Sequence, residues 1–264
     1  MGRSKGEALL SFGGHLDVLR KMLFRILGVS GVFTAVIFCM KDYAWQILLA
    51  PSEWDFCTYQ WIEDVISIFG VTYQFEHYHV DLIATDLSAQ FMSHVFTSCY
   101  LGALCASPYI MLELFHFVSP ALYDSEKKYS RQLTVAIYML FIFGVLMSYF
   151  VLFPISFRFL ATYSVSERVH SMITLDSYIG TFITLTFLMG IVFQLPVIAY
   201  IMAKIRFVSS NMLSRYRRHA FIIIMVVAAL ITPPDVMTLV LVSIPLYLLF
   251  ELSIMVIRVV ERKG

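Results

Sequence analysis

The chain has 264 residues, of which 59% are hydrophobic and 14% charged, and its mean hydropathy is +0.80. Soluble domains rarely have so apolar a composition, and apolar runs long enough to cross a bilayer recur along this chain. The composition therefore excludes an ordinary soluble domain and predicts a polytopic membrane protein. The formal net charge of +1 says little about partners, because the position of charges along a membrane protein matters more than their sum.

Six stretches approach the length of about twenty apolar residues that a crossing needs. We predict spans at about residues 22–40, 92–117, 133–155, 178–202, 219–233 and 237–257. The first span follows a polar segment and is too long for a signal-peptide core, so we expect it to be retained. The fifth span is short, so we expect it to thin the bilayer or to lie in a bundle that does so.

Prolines inside the spans predict bent helices. Pro108, Pro196 and Pro245 each remove one helical hydrogen bond from spans two, four and six. No internal repeat is visible, which argues against the inverted repeats of many secondary transporters. The predicted fold is an all-α integral membrane protein in which six transmembrane helices form a bent, cup-like bundle, as a single domain over residues 1–264.

The basic residues predict the orientation. All of the 19 lysines and arginines except Lys41, Arg158 and Arg168 fall in the two termini or in the second and fourth connections. By the positive-inside rule, both termini are predicted to be cytoplasmic. The first external connection, residues 41–91, is long and aromatic, and we expect it to pack as a cap with short helices near 43–50 and 59–69 and a strand within 71–80.

Metal and catalytic motifs are not evident in the sequence. Glu76, His77 and His79 lie close together, but two histidines at this spacing on a surface strand are more often just exposed. The four cysteines have no ligand spacing, and we expect them to be small core residues.

Gln194 is the polar side chain in the middle of span four. Pro196 frees the carbonyl of Val192, which the Gln194 amide or a water could satisfy. Two interpretations stay open: Gln194 makes a hydrogen bond toward the concave side or a partner helix, or it only completes its own helix.

Two acids flank the last span. Asp235, in "ITPPDV", is placed to cap the amino end of span six. Glu251 lies seven residues before Arg258, on the same face of the helix, near the predicted cytoplasmic end.

The stretch "VSPALYDSEKKYSRQL", residues 118–133, is a dense charged loop between spans two and three. At the cytoplasmic interface, the Glu126 carboxylate would attract a cation more strongly than in open water, and a guanidinium group matches its two oxygens. An ion pair of Glu126 with Lys127 or Lys128 inside the loop is the alternative.

Three stretches carry a resemblance to a known family. "FGGHLDVLRK", "FVSPALYDSEKKYSRQL" and "ITPPDVMTLVLVSIPLYLLFE" resemble the signatures of the TatC family, the six-span core of the twin-arginine protein translocase. The similarity runs from about Phe12 to Glu251, and the spans, loop lengths and topology agree.

The resemblance implies a receptor in the cytoplasmic (inner) membrane, without enzymatic activity, cofactor or nucleic-acid partner. It would bind the paired-arginine signal peptides of folded preproteins and recruit single-span subunits of the TatA type, with or without a TatB-type subunit, for export driven by the proton gradient. Self-association in a larger complex is also implied. The signal-peptide site would comprise Glu126 and Phe117 with Leu16, Asp17 and Arg20 of the N-terminal motif.

The chain departs from the family pattern at particular residues. Val18 stands where the N-terminal motif has its glutamate, and Asp17 precedes it, turned by about 100° on a helix. Gln194 stands where many relatives have a glutamate, so it can hydrogen-bond but cannot ionise. A secondary transporter or channel for small solutes or ions is the alternative function, and it would need an ionisable group at mid-membrane.

Overall fold

The structure is a computed structural model that describes residues 12–68, 70, 80–118, 130–164, 166 and 172–263. Within these residues, five stretches are long and apolar enough to cross a membrane: Leu16–Cys39, Ala89–Leu114, Leu133–Thr162, Leu175–Lys204 and Val236–Arg262. They coincide with predicted spans one to four and six. The prediction of an all-α, multi-pass membrane protein is confirmed.

The helices follow one another in the order of the predicted spans. In the described part of the chain they are α1 (Phe12–Cys39), α2 (Lys41–Leu49), α3 (Cys57–Ile68), α4 (Ala89–Val118), α5 (Ser130–Met147), α6 (Phe153–Thr162), α7 (Leu175–Val192), α8 (Leu195–Lys204), α9 (Ser210–Arg215), α10 (Arg217–Ile231) and α11 (Val236–Lys263).

In two spans, a proline comes with a break or a change of helix type, and not only with a bend. In span four, α7 ends at Val192 and α8 begins at Leu195, because Pro196 can neither donate a hydrogen bond nor fit against the preceding turn. In span three, a π-helical turn, Ser148–Leu152, joins α5 to α6, with a proline in the first turn of α6. Pro108 and Pro245, by contrast, stay inside α4 and α11.

Helix α10 corresponds to the predicted fifth span and is short. Its 15 residues rise roughly 22 Å, whereas the hydrocarbon core of a bilayer is about 30 Å thick. It packs beside α11, the long last helix of the bundle.

Glycines allow the closest helix crossings. A Cβ added to Gly102 of α4 would lie 2.6 Å from the backbone nitrogen of Thr34 in α1. A Cβ on Gly144 of α5 would lie 2.7 Å from the carbonyl oxygen of Met189 in α7. Small residues at such contacts let helix backbones approach in a membrane, where dispersion forces drive packing.

One end of the bundle is covered by α2, α3 and a two-stranded parallel sheet, which we call the aromatic end. In this sheet β1 (Leu82–Ile83) pairs with β2 (Ile173–Thr174), so that Leu82 lies opposite Ile173. The Tyr178 hydroxyl donates to the carbonyl of Leu48 at 2.8 Å, and the Tyr59 hydroxyl donates to that of Pro154 at 3.0 Å.

The aromatic end agrees with the predicted cap in its two short helices, α2 and α3. The strand predicted within 71–80 lies almost wholly outside the described residues. The expectation that the cysteines are core residues is wrong: Cys39, Cys99 and Cys105 are exposed on the outer faces of their helices, and Cys57 is half-buried. In a membrane bundle these outer faces meet lipid, so a small apolar side chain is stable there too.

Candidate functional site

The opposite end of the bundle carries the start of α1, the end of α4 and the polypeptide around α9, and we call it the basic end. Several of the predicted signal-peptide residues lie here, on the first turns of α1. Leu16 is 50% exposed, and Asp17 and Arg20 are exposed as well. Within the described residues the exposed Asp17 makes no hydrogen bond or ion pair.

The first half of α1 presents an apolar face. Leu16, Leu19, Leu23 and Leu27 line a shallow groove, and the Arg20 guanidinium lies 5.6 Å from the centre of the Phe24 ring. The spacing of these residues puts them on one side of the helix. The arginine therefore sits at the edge of an apolar stripe.

Glu113, in the last turns of α4, is the acid that joins α4 to α1. Its Oε1 accepts a hydrogen bond from the Tyr109 hydroxyl at 2.8 Å and lies 3.5 Å from Nη1 of Arg25. The Glu113 side chain is 15% exposed and the Arg25 side chain 64%. In the sequence, Glu113 stands near the end of predicted span two, and an acid inside an apolar helix is the signal that could have singled it out.

Phe117 lies one helical turn beyond Glu113 and is half-buried. Because residues four apart share a face of a helix, Phe117 and Glu113 lie along the same side of α4. Glu126, with Lys127 and Lys128, lies outside the described residues, as do Glu76, His77 and His79.

Of the two interpretations left open for Gln194, the structure shows a hydrogen bond to another helix of the bundle and not a bond within its own helix. Its Nε2 donates to the carbonyl of Ile137 in α5 at 3.0 Å, and not to the carbonyl of Val192. The backbone of Gln194 sits in the break between α7 and α8, with Pro196 in the first turn of α8, and this break turns the amide toward α5. This hydrogen bond therefore joins the break between α7 and α8 in span four to α5 in span three.

Glu251 forms an ion pair with α10, in addition to sharing a face of α11 with Arg258. Nε of Arg217 lies 2.8 Å from Glu251 Oε1, and Nη2 donates to Oε2 at 2.9 Å, so the ion pair is bidentate. The Tyr247 hydroxyl also donates to Oε1, at 3.3 Å. Arg258, two turns away, donates to the Ser214 hydroxyl at 3.4 Å. The basic end is thus held by side-chain pairs between helices.

Two further carboxylates cap helix starts. Asp235 Oδ1 accepts the backbone N–H of Thr238 at 2.6 Å, as an N-cap of α11 would. Glu261, near the end of α11, accepts from both the backbone N–H and the hydroxyl of Ser210, at 2.9 and 2.5 Å. Its two oxygens therefore fasten α9 to α11. Among the described residues no group of three or more potential metal ligands occurs.

The fold and this site define a multi-pass α-helical membrane protein whose acids serve as contacts between helices. The sequence model of the TatC family, the Sec-independent protein translocase protein, matches residues 14–245. The chain belongs to the TatC family, which places it among protein translocase components.

Two curated relatives match this chain over 88% or more of their own length. TatC of Blattabacterium sp. subsp. Periplaneta americana (strain BPLAN) is 34% identical over 269 residues, covering 100% of both chains. TatC of Desulforapulum autotrophicum (strain ATCC 43914 / DSM 3382 / VKM B-1955 / HRM2) is 32% identical over 260 residues, covering 98% of this chain and 88% of the relative.

Two solved structures have the same fold. A crystal structure described as the twin-arginine translocase receptor TatC has a TM-score of 0.72 and 27% identity, covering 93% of this chain and 98% of that one. A second, of the receptor in DDM, has a TM-score of 0.73 and 27% identity, with 91% and 98% coverage.

Proposed function

We propose that this chain is the receptor core of a twin-arginine protein translocase in the cytoplasmic (inner) membrane. The observation that carries the proposal is a family match along residues 14–245 that includes the charged loop after α4. The basic end would face the cytoplasm, with both termini inside, because it collects most of the lysines and arginines. Folded preproteins would be captured there through their signal peptides.

The capture step rests on charge complementarity. The Glu126 carboxylate binds a guanidinium of the signal peptide through two parallel hydrogen bonds, and Lys127 and Lys128 hold the loop at the lipid headgroups. Phe117 supplies an apolar wall next to this loop. Asp17, exposed on α1 with Leu16 and Arg20, adds negative charge at the approach to the site.

The later step is recruitment of partners. Single-span subunits of the TatA type, with or without a TatB-type subunit, would pack against the outer helices. The proton gradient would act through these partners, and this chain would serve as a receptor without catalysis of its own. Polar groups at the ends or breaks of the later spans, Gln194, Asp235 and Glu251, with Pro196, shape the surface that these partners meet. Copies of the chain would also associate in a larger complex.

Binding of a signal peptide to the purified full-length chain tests the proposal. We expect a peptide bearing two arginines to bind more tightly than its two-lysine counterpart, and Glu126→Lys to abolish binding while the thermal unfolding midpoint stays unchanged. Asp42→Asn, an exposed acid at the aromatic end, serves as the control and should bind as the unaltered chain does. Equal binding of both peptides, or full binding by folded Glu126→Lys, would overturn the proposal.

A further inference from the structure

We propose that Glu113 is a second carboxylate for the arginine pair of the signal peptide, and that Arg25 occupies it until the peptide arrives. This inference rests on the proposed function above. It assigns a role to a cluster of three side chains, Arg25, Tyr109 and Glu113, that joins α1 and α4 at the basic end.

The cluster already holds a guanidinium group against the acid. Nη1 of Arg25 lies 3.5 Å from Oε1 of Glu113, a loose contact to a single oxygen. Within the described residues, the other oxygen, Oε2, makes no hydrogen bond or ion pair. An arginine from a peptide can therefore bind Oε2, or replace Arg25 and bind both oxygens, which is the stronger arrangement.

Because Glu113 is more buried than Asp17, we expect its carboxylate to bind a guanidinium group more tightly. The Glu113 side chain is 15% exposed, whereas Asp17 is exposed. The attraction between unit charges grows as the effective dielectric falls, so a mostly buried carboxylate holds a cation more strongly than one in water. The Tyr109 hydroxyl fixes the orientation of the carboxylate beforehand, which reduces the entropy lost on binding.

The position of Glu113 suits a pair of adjacent arginines. In an extended peptide, neighbouring side chains point to opposite sides, so two arginines reach acids on two different elements. Glu126 lies in the loop after α4, and Glu113 lies on α4 itself, one turn before Phe117. A peptide lying across Phe117 would place one of its arginines toward Glu113, between α1 and α4.

Glu113 also explains how the chain can lack the family's N-terminal glutamate. Val18 occupies that position and is 42% exposed, and the neighbouring Asp17 points in another direction along α1. Glu113 gives the basic end a mostly buried carboxylate for a guanidinium group, in addition to the exposed Asp17.

The test measures the affinity of the two-arginine peptide for three variants of the full-length chain. We expect Glu113→Gln to weaken binding about tenfold or more, because the amide keeps the acceptor for Tyr109 but loses the charge. We expect Arg25→Gln to tighten binding severalfold, since it removes the competing guanidinium. Val18→Glu combined with Glu113→Gln should restore most of the lost affinity.

The two substitutions are expected to change the affinity in opposite directions, and this distinguishes peptide recognition from a purely structural role of the pair. If the pair only clamps α1 to α4, Arg25→Gln and Glu113→Gln will both lower the thermal unfolding midpoint and both weaken binding. That outcome, or unchanged affinity in Glu113→Gln, overturns this inference. If Glu126→Lys still abolishes binding in the same experiments, the proposed function stands without it; if the unaltered chain does not distinguish arginine from lysine peptides, the proposed function itself fails.

Discussion

Arg206 stands in the left-handed region of the backbone, with a φ of 56°, at the end of α8. The Phe207 N–H donates to the carbonyl of Met202 at 2.9 Å and the Arg206 N–H to that of Ala203 at 3.0 Å, which together close a Schellman motif. Glycine is the usual residue at this position, because a Cβ crowds the neighbouring carbonyl.

We predict that Arg206→Gly stabilises the protein. Removing the Cβ relieves about 1–2 kcal/mol of strain, while the extra freedom of glycine in the unfolded chain costs about 0.4–1 kcal/mol. The free energy of unfolding in detergent should rise by roughly 0.5–1 kcal/mol. Arg206→Ala keeps the Cβ and should show no such gain; an equal gain in both variants would mean that charge, not backbone geometry, is responsible.

Single residues differ in how far the sequence can predict their contacts. The capping position of Asp235 could be predicted, because its partner, the N–H of Thr238, lies three residues away in the same turn. The partners of Gln194 and Glu251 could not, because Ile137 and Arg217 lie on other helices that only packing brings near. For the same reason the sequence marked Glu113 as an acid but not as a partner of Arg25.

At the scale of the helices, the crossing of α1 and α4 depends on one glycine. Gly102 faces the backbone of Thr34, whereas a Cβ on Gly31, also in α1, would meet nothing within 4 Å. The two positions therefore form a matched pair for the same substitution.

We predict opposite effects for alanine at these two glycines. Both changes favour the helix by up to about 1 kcal/mol, so Gly31→Ala should raise the free energy of unfolding. Gly102→Ala should lower it by about 1–3 kcal/mol, because the added methyl group forces the two backbones apart. Chemical unfolding in detergent measures both. Stabilisation by Gly102→Ala would show that α1 and α4 lie farther apart than the structure has them.

The helices were the most predictable level of this molecule. Long apolar runs fixed the places of the five spans, because the bilayer imposes length and composition directly on the sequence. The break before Pro196 was anticipated only as a bend, and the π turn at Ser148–Leu152 was not anticipated. Neither could be resolved beforehand, because the neighbouring helices decide whether a freed carbonyl finds a new donor.

For the whole molecule, the length of α10 sets a preferred membrane thickness. Its 15 residues span roughly 22 Å, whereas α11 has 28 residues and can tilt in a thin bilayer. A thin bilayer therefore reduces the hydrophobic mismatch of α10, and the long helices adapt to it by tilting.

We predict that the thermal unfolding midpoint is higher in bilayers with a hydrocarbon core of about 25 Å than in bilayers of about 33 Å. The measurement uses the full-length chain in a series of phosphatidylcholines that differ only in acyl length. A midpoint that rises steadily toward the thick bilayers would contradict the prediction, and would mean that α10 is shielded from lipid by its neighbours.

The two ends of the molecule are fastened by different kinds of bond. At the aromatic end, tyrosine hydroxyls donate to backbone carbonyls of distant segments, and the pairing of β1 with β2 joins two connections. At the basic end, the ion pairs between helices join two side chains each, Arg25 with Glu113 and Arg217 with Glu251. Side chains can exchange partners without unfolding a backbone. The contacts of the basic end can therefore change without the loss of a backbone hydrogen bond, whereas a rearrangement at the aromatic end has to break bonds to backbone carbonyls.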